Sequence, residues 1–367
     1  MTFTGGAMRL GLALALAGLA ACGTDGNSDR GSPDAVVQTT AISGESRMLS
    51  GTQGQPLMHP VSAVQSVYSY GSDGTRVEYS EGVDFVVEGD TIRRTANSSM
   101  PDYASYSFTR NPDGLFSFTS DPRNPPRTIQ LATYIDYRAA IAPPVIAAKE
   151  LPRTPTNVVC LGDSITHAAD TVAFFFRDSA DDGWCAHLSQ FMAERGTVTL
   201  PAEKFGFLRD VAPTVIDSLS PDIDTVILAF GMNDQLAGED GQPAFRDLLR
   251  TTVRDLRKSG RNVILVGFFQ QNKLWDLEQP ADTLLYNETI EVVASSQGVP
   301  FVDMYTAMRE AAPASQPVFE HVTGDFLHHP NNYGQKIYFS QIVPYFLRGN
   351  TRSDKIPNYI PGPWSER

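Results

Sequence analysis

From Thr154 onward the chain alternates short, almost wholly apolar segments with longer stretches in which apolar residues return every three or four positions. Val158-Val159-Cys160-Leu161, Val226-Ile227-Leu228-Ala229-Phe230 and Val263-Ile264-Leu265-Val266 are of the first kind. A strand that is apolar on both faces must be covered on both, the condition of a parallel sheet between helical layers. The pattern predicts strands over Asn157 to Leu161, Asp224 to Phe230, Asn262 to Phe269 and Phe301 to Met304. Helices are predicted around Trp184 to Arg195, Ala244 to Lys258, Ala281 to Ser296 and Gly334 to Leu347. A layered α/β domain over about residues 150–350 follows, with its chemistry at the carboxyl ends of the strands.

The rhythm differs before residue 150. Short aromatic and β-branched runs, Val67 to Tyr70, Arg76 to Tyr79, Asp84 to Val87, Thr91 to Arg94 and Tyr106 to Thr109, are separated by Gly-Ser-Asp-Gly, Glu-Gly and Asn-Pro-Asp-Gly turns. With no helical period between them, these predict a small all-β, sandwich-like domain over residues 56–145. Residues 23–55 are rich in Gly, Ser, Asp and Gln and read as a flexible tether. The last residues, 351–367, read as a C-terminal tail.

The first 22 residues set the expected compartment. One positive charge, Arg9, precedes a twelve-residue apolar run, Leu10 to Ala21, too short to span a bilayer. It ends in Leu19-Ala20-Ala21-Cys22, which resembles a bacterial lipobox with Cys22 as the lipidated residue. The expectation is an exported protein held to the cell envelope by a lipid anchor, its only link to a membrane. The alternative is an ordinary secretory leader in which Cys22 is incidental. The net charge of -13 becomes -14 without the leader, which disfavours nucleic acid as a partner. Cys160 and Cys185 can form a disulfide in an exported protein or remain buried thiols.

Three stretches carry chemistry. Gly162-Asp163-Ser164-Ile165-Thr166 follows the first predicted strand of the α/β region, which puts the Ser164 hydroxyl at the carboxyl edge of the sheet beside turn N–H groups. Gly231-Met232-Asn233-Asp234 leaves a second strand, where the Asn233 amide can donate to a developing oxyanion and Asp234 braces the turn. Asp325 precedes His328, His329 and Pro330, close enough to orient an imidazole and free its other nitrogen to act as base. His329, beside the proline, is the preferred base and His328 the alternative. No set of Cys, Asp or Glu with metal-ligand spacing surrounds the pair, so neither metal nor cofactor is expected. Bland readings of the same blocks exist: a plain turn for Ser164, an Asx turn for Asn233.

Gly-Asp-Ser-Ile-Thr, Gly-Met-Asn-Asp and the Asp to His-Pro block, in this order, resemble the SGNH or GDSL esterase/lipase family over about residues 154–350. The resemblance implies a flavodoxin-like three-layer α/β/α fold and a triad of Ser164, His329 and Asp325. It also implies an oxyanion hole of Asn233, the Ser164 N–H and one glycine N–H, with Gly206 preferred over Gly196. Asn272 and Trp275 resemble a recurrent pocket segment. Phe174-Phe175-Phe176 is core or, if exposed, a rim for an acyl chain or sugar ring.

The expected activity is hydrolysis of a carboxylic ester, with O-deacetylation of a carbohydrate or polysaccharide as the leading reaction. A lipase or arylesterase acting on longer acyl groups is the nearest alternative. From a different class, the chain is a non-catalytic surface lipoprotein whose β domain binds carbohydrate.

Overall fold

The computed structural model describes residues 38–105, 111–115, 128–201, 206–215, 218–272, 283–311 and 318–366. The leader, Cys22, most of the expected tether, the strand expected at Tyr106 to Thr109 and Trp275 lie outside these residues.

The first part of the chain folds into two antiparallel sheets. Strands β1 (Thr40–Arg47), β2 (Gln55–Pro56), β3 (Val61–Tyr70), β4 (Arg76–Glu78), β5 (Phe85–Glu88), β6 (Thr91–Arg94) and β7 (Thr133–Ala139) pair in the orders β1-β7-β3-β4 and β2-β6-β5. The Gly-Ser-Asp-Gly and Glu-Gly-Asp turns close the β3–β4 and β5–β6 hairpins, as their residue types require.

β1 lies inside the stretch read as tether, and that reading is corrected from Thr40 on. Its composition is polar, yet Glu45, Ser46 and Arg47 are buried. Glu45 and Arg47 form an ion pair on one face of the strand, and Glu45 also accepts from Tyr137 Oη at 2.5 Å and from the Met58 N–H at 2.8 Å. Buried charges persist only when paired and hydrogen-bonded in this way. A polarity count cannot detect such pairing.

The second part is the expected α/β/α domain. Strands β8 (Val145–Ile146), β9 (Asn157–Gly162), β10 (Thr197–Thr199), β11 (Thr225–Ala229), β12 (Asn262–Val266), β13 (Phe301–Val302) and β14 (Thr351–Arg352) alternate with helices. The helices are α1 (Val172–Arg177), α2 (Trp184–Met192), α3 (Leu208–Val215), α4 (Gly238–Lys258), α5 (Thr283–Gln297), α6 (Met304–Glu310), α7 (Val318–Val322) and α8 (Asn332–Ile342). The five-stranded sheet is parallel, in the order β10-β9-β11-β12-β13. That order is flavodoxin-like, and it reverses direction at β9, beside β11, where doubly wound folds open a crevice.

Helices α2, α6 and α8 pack together, as do α3, α4 and α5. In α4 the apolar face, Phe245, Leu249, Val253 and Leu256, is buried. The helix starts earlier than its apolar spacing suggests, with Glu239 and Asp240 in the first turn and Arg257 and Lys258 in the last, each placed favourably for the helix dipole.

Residues 351–367 are not a tail as expected. β14 pairs with β8, and Ile356, Ile360 and Trp364 are buried in the core. Cys160 on β9 and Cys185 on α2 form a disulfide, with Cα atoms 6.4 Å apart.

Candidate active site

The turn after β9 is shaped by what a side chain would meet at Gly162. A Cβ there would lie 2.6 Å from the Ala229 carbonyl oxygen at the end of β11 and would collide with the Thr166 side chain. Glycine therefore lets the two strand ends and the turn close on one point. The chain then bends through consecutive turns, with Thr166 N and Ala169 N donating to the Asp163 and Ser164 carbonyls at 3.1 and 3.0 Å.

Ser164 Oγ lies 2.8 Å from His329 Nε2. The opposite ring nitrogen, Nδ1, is 2.8 Å from Asp325 Oδ2. The other oxygen of Asp325 accepts backbone N–H groups from Leu327, His328 and His329 at 2.8, 3.0 and 3.1 Å. A single carboxylate thus folds the loop around itself and presents its second oxygen to the imidazole. The expected trio of Ser164, His329 and Asp325 is brought together although two of its members are 165 residues apart.

Comparison with known proteins places the region that carries these residues in a family. The model of the GDSL-like lipase/acylhydrolase family matches residues 160–337. This part of the chain is a GDSL-like lipase/acylhydrolase domain. The protein is an ester hydrolase of that kind. No curated protein matches the chain. Among solved structures, an acetylxylan esterase from Geobacillus stearothermophilus is 18% identical, with 53% of this chain and 94% of that one covered and a TM-score of 0.39. A phospholipase A1 from Streptomyces albidoflavus is 14% identical, with coverage of 52% and 98% and a TM-score of 0.41. An α/β hydrolase from the metagenome of Lake Arreo, Spain, is 21% identical, covering 53% and 95%, with a TM-score of 0.39.

The hydrolase separates the roles of its two adjacent histidines. His328 stacks at a tilt on His329, ring centroids 4.2 Å apart, and burial, aided by the His329 charge, pushes it down to about 3. It stays neutral and lies beside the base. His329 is also buried, which works against its charge, but Asp325 and a second carboxylate, Asp170, outweigh burial and raise it well above the ordinary imidazole value. Asp325 is buried too, and the His329 charge offsets that burial and lowers it. The ligand-type atoms of Asp325, His328 and His329 lie within 4.8 Å of one another, so the block expected to orient an imidazole is also a group of metal-ligand type, which its spacing was not read to be. Two of its members, His329 and Asp325, face each other at 2.8 Å.

The residues expected as oxyanion donors lie in loops that follow strands of the parallel sheet. Asn233 follows β11 and stands at the N-cap of a short 3-10 helix, but its side chain does not cap that helix. Asp234 accepts from the Leu208 N–H at 3.1 and 3.3 Å, tying the β11 loop to the start of α3, two residues beyond Gly206. The brace thus fixes Asn233 relative to Gly206, and burial raises Asp234 to about 6. Gly196 precedes β10, whose Thr197 pairs with Asn157 at the opposite, amino edge of the sheet. It cannot reach the site.

The structure corrects one expectation, refines another and adds a residue that the sequence reading missed. Asn272 does not line a pocket: it is fully buried and donates from Nδ2 to the Phe326 carbonyl at 2.8 Å, bracing the catalytic loop. The Phe174 to Phe176 run forms α1, where Phe176 packs against Gly74 of the β region and Phe174 is 37% exposed. Asp170 Oδ2 lies 2.7 Å from His329 Nδ1. Asp170 follows Ser164 by only six residues, but nothing in its spacing separates it from the other acidic turn residues nearby.

Proposed function

We propose that the protein cleaves carboxylic esters through a Ser164, His329, Asp325 triad. His329 Nε2 takes the Ser164 proton as Oγ bonds to the ester carbonyl carbon, and the oxyanion accepts hydrogen bonds from Asn233 and the Ser164 and Gly206 N–H groups. Collapse breaks the bond to the alcohol, which leaves with the proton from His329. Water then attacks the acyl-enzyme by the same route and regenerates Ser164. The 2.8 Å contact between Ser164 Oγ and His329 Nε2, with Asp325 behind the ring, carries this reading.

The substrate read here is an O-acetylated carbohydrate or polysaccharide at the cell envelope, reached by a chain exported by its leader and anchored at Cys22. A cavity of about 630 Å³ is lined both by polar residues, among them Asp178, Ser189 and Gln190, and by apolar ones, Phe174, Val198 and Leu200. A mixed lining of this kind can receive a hydroxylated ring, and an acyl-length series decides between that and a long acyl chain. Ser164→Ala is expected to abolish hydrolysis of p-nitrophenyl acetate with the fold intact by circular dichroism. Release of acetate from acetylated xylan, with turnover falling along a p-nitrophenyl ester series of increasing acyl length, is the expected profile. A rise toward long acyl chains would replace it with a lipase.

A further inference from the structure

We infer that Asp170 is a second positioning carboxylate for the catalytic base, sharing His329 Nδ1 with Asp325. The inference rests on the triad reading above. Oδ2 of Asp170 is 2.7 Å and Oδ2 of Asp325 2.8 Å from the same nitrogen, and neither lies along its N–H direction. Two carboxylate oxygens within hydrogen-bond distance of one N–H share it and restrain the ring more than a single off-axis acceptor would.

The approach of Asp170 is built into the fold. Gly324, immediately before Asp325, has no side chain where a Cβ would collide with the Asp170 carbonyl. Asp170 itself has φ +60°, as does Ala168, a left-handed conformation that aspartate tolerates better than most residues. The strained turn is fastened at its far end, where Val172 N donates to Asn332 Oδ1 at 2.9 Å, just after the His329-Pro330 step. Thr171 then caps α1 by accepting from Phe174 N. The segment that carries the nucleophile and the loop that carries the base are thereby locked together through Asp170.

The two carboxylates differ in setting. Asp325 is buried with one oxygen held by three amides; Asp170 is 15% exposed at its side chain and reaches the ring from the solvent side. Around His329 stand Asp325 and His328 from its own loop, and Asp163 and Asp170 from the segment after β9. Of these Asp325 and Asp170 favour the imidazolium, Asp163, which burial raises to about 7, does so once ionised, and His328 opposes it. Neutral His329 is the base, so a raised pKa moves the acidic limb of the rate profile upward, and loss of one carboxylate must bring it down.

The test is the pH dependence of kcat/KM on p-nitrophenyl acetate for the wild type, Asp170→Asn, Asp325→Asn and the double variant. In Asp170→Asn the acidic limb is expected to move down by about one pH unit, the scale of a lost neighbouring charge. Asp325→Asn is expected to lose less than the roughly 10⁴-fold that follows when a lone triad carboxylate is neutralised, and the double variant to reach it. An unmoved limb, or a double variant no worse than Asp325→Asn, overturns the inference. Should Asp170→Asn not fold, Asp170→Ser carries the same expectation. NMR titration of His329 in a Ser164→Ala background reads the shift without turnover. Survival of hydrolysis in Ser164→Ala would instead overturn the triad reading, leaving the titration to decide on Asp170.

Discussion

At the scale of single residues, the site is decided by which polar groups are left available once the fold has used the others. Asn233 sits where an asparagine usually caps a helix, yet its amide makes no capping bond. Asn272, expected at the pocket, has its amide on the Phe326 carbonyl. The same residue type is therefore a brace in one place and leaves its amide off the helix cap in the other, where the proposed mechanism uses it as a donor. Asn233→Ala is expected to lower kcat on p-nitrophenyl acetate by about 10² to 10³-fold, roughly 3 to 4 kcal/mol of transition-state stabilisation, with KM nearly unchanged. Steady-state kinetics of the variant checks this. The sign of the pH dependence is also set here. His329 gains stability in the folded state by being charged, so that contribution is complete below the ordinary imidazole pKa and is lost as pH rises through the raised one. Activity moves the opposite way, rising over the same interval as the base is deprotonated.

At the scale of elements, the carboxyl ends of β9 and β11 and the loop between α7 and α8 hold the site together. The disulfide joins β9, which leads into Ser164, to α2 on the layer that also carries α8. Its cysteines are 25 positions apart, for which chain entropy gives about 3.5 kcal/mol. Cys160→Ser with Cys185→Ser is expected to lower the melting temperature by several degrees while leaving kcat within about twofold at temperatures where the protein is folded. Thermal unfolding with and without reductant measures the effect. The α7–α8 loop is fixed from several sides at once: Asn331 caps α8 and donates to the His321 carbonyl, Gln335 donates to the Ile165 carbonyl, and Asn272 holds Phe326. This explains how a loop, ordinarily the mobile part of a fold, can keep an imidazole in register.

At the scale of the whole molecule, the β region is part of the catalytic framework. Ser46 of β1 donates to the His321 carbonyl and accepts from Asn331 Nδ2 at 3.1 Å; Ile129 N donates to the Gly324 carbonyl at 3.2 Å; Tyr103 packs on Phe326 with ring centroids 6.0 Å apart. These contacts converge on the segment that carries Asp325 and His329. Removing β1 would also leave Tyr137 without the Glu45 carboxylate and expose β7 as an edge. A chain beginning at residue 56 is therefore expected to melt lower than one beginning at residue 38 and to lose most of its esterase activity. Thermal melts and p-nitrophenyl acetate turnover of the two truncations compare them directly.

The chain order of the α/β region, its parallel sheet and the grouping of Ser164, Asp325 and the adjacent histidines were legible because each depends on local signals: apolar runs, and a motif at the end of a run. His329 was already preferred over His328 for its place beside Pro330, but which ring turns to Ser164, and that Gly196 lies at the far edge of the sheet, only the structure shows. β1, the packed C-terminal segment and Asp170 were hidden for a common physical reason. β1 and the C-terminal segment are held by partners about 90 to 300 positions away, and Asp170 by a positive-φ turn admitted by a glycine in another loop. Hydrophobic pattern and turn chemistry determine where strands and helices start; only the tertiary structure decides which charged groups meet, because that depends on distances between segments that sequence order does not contain.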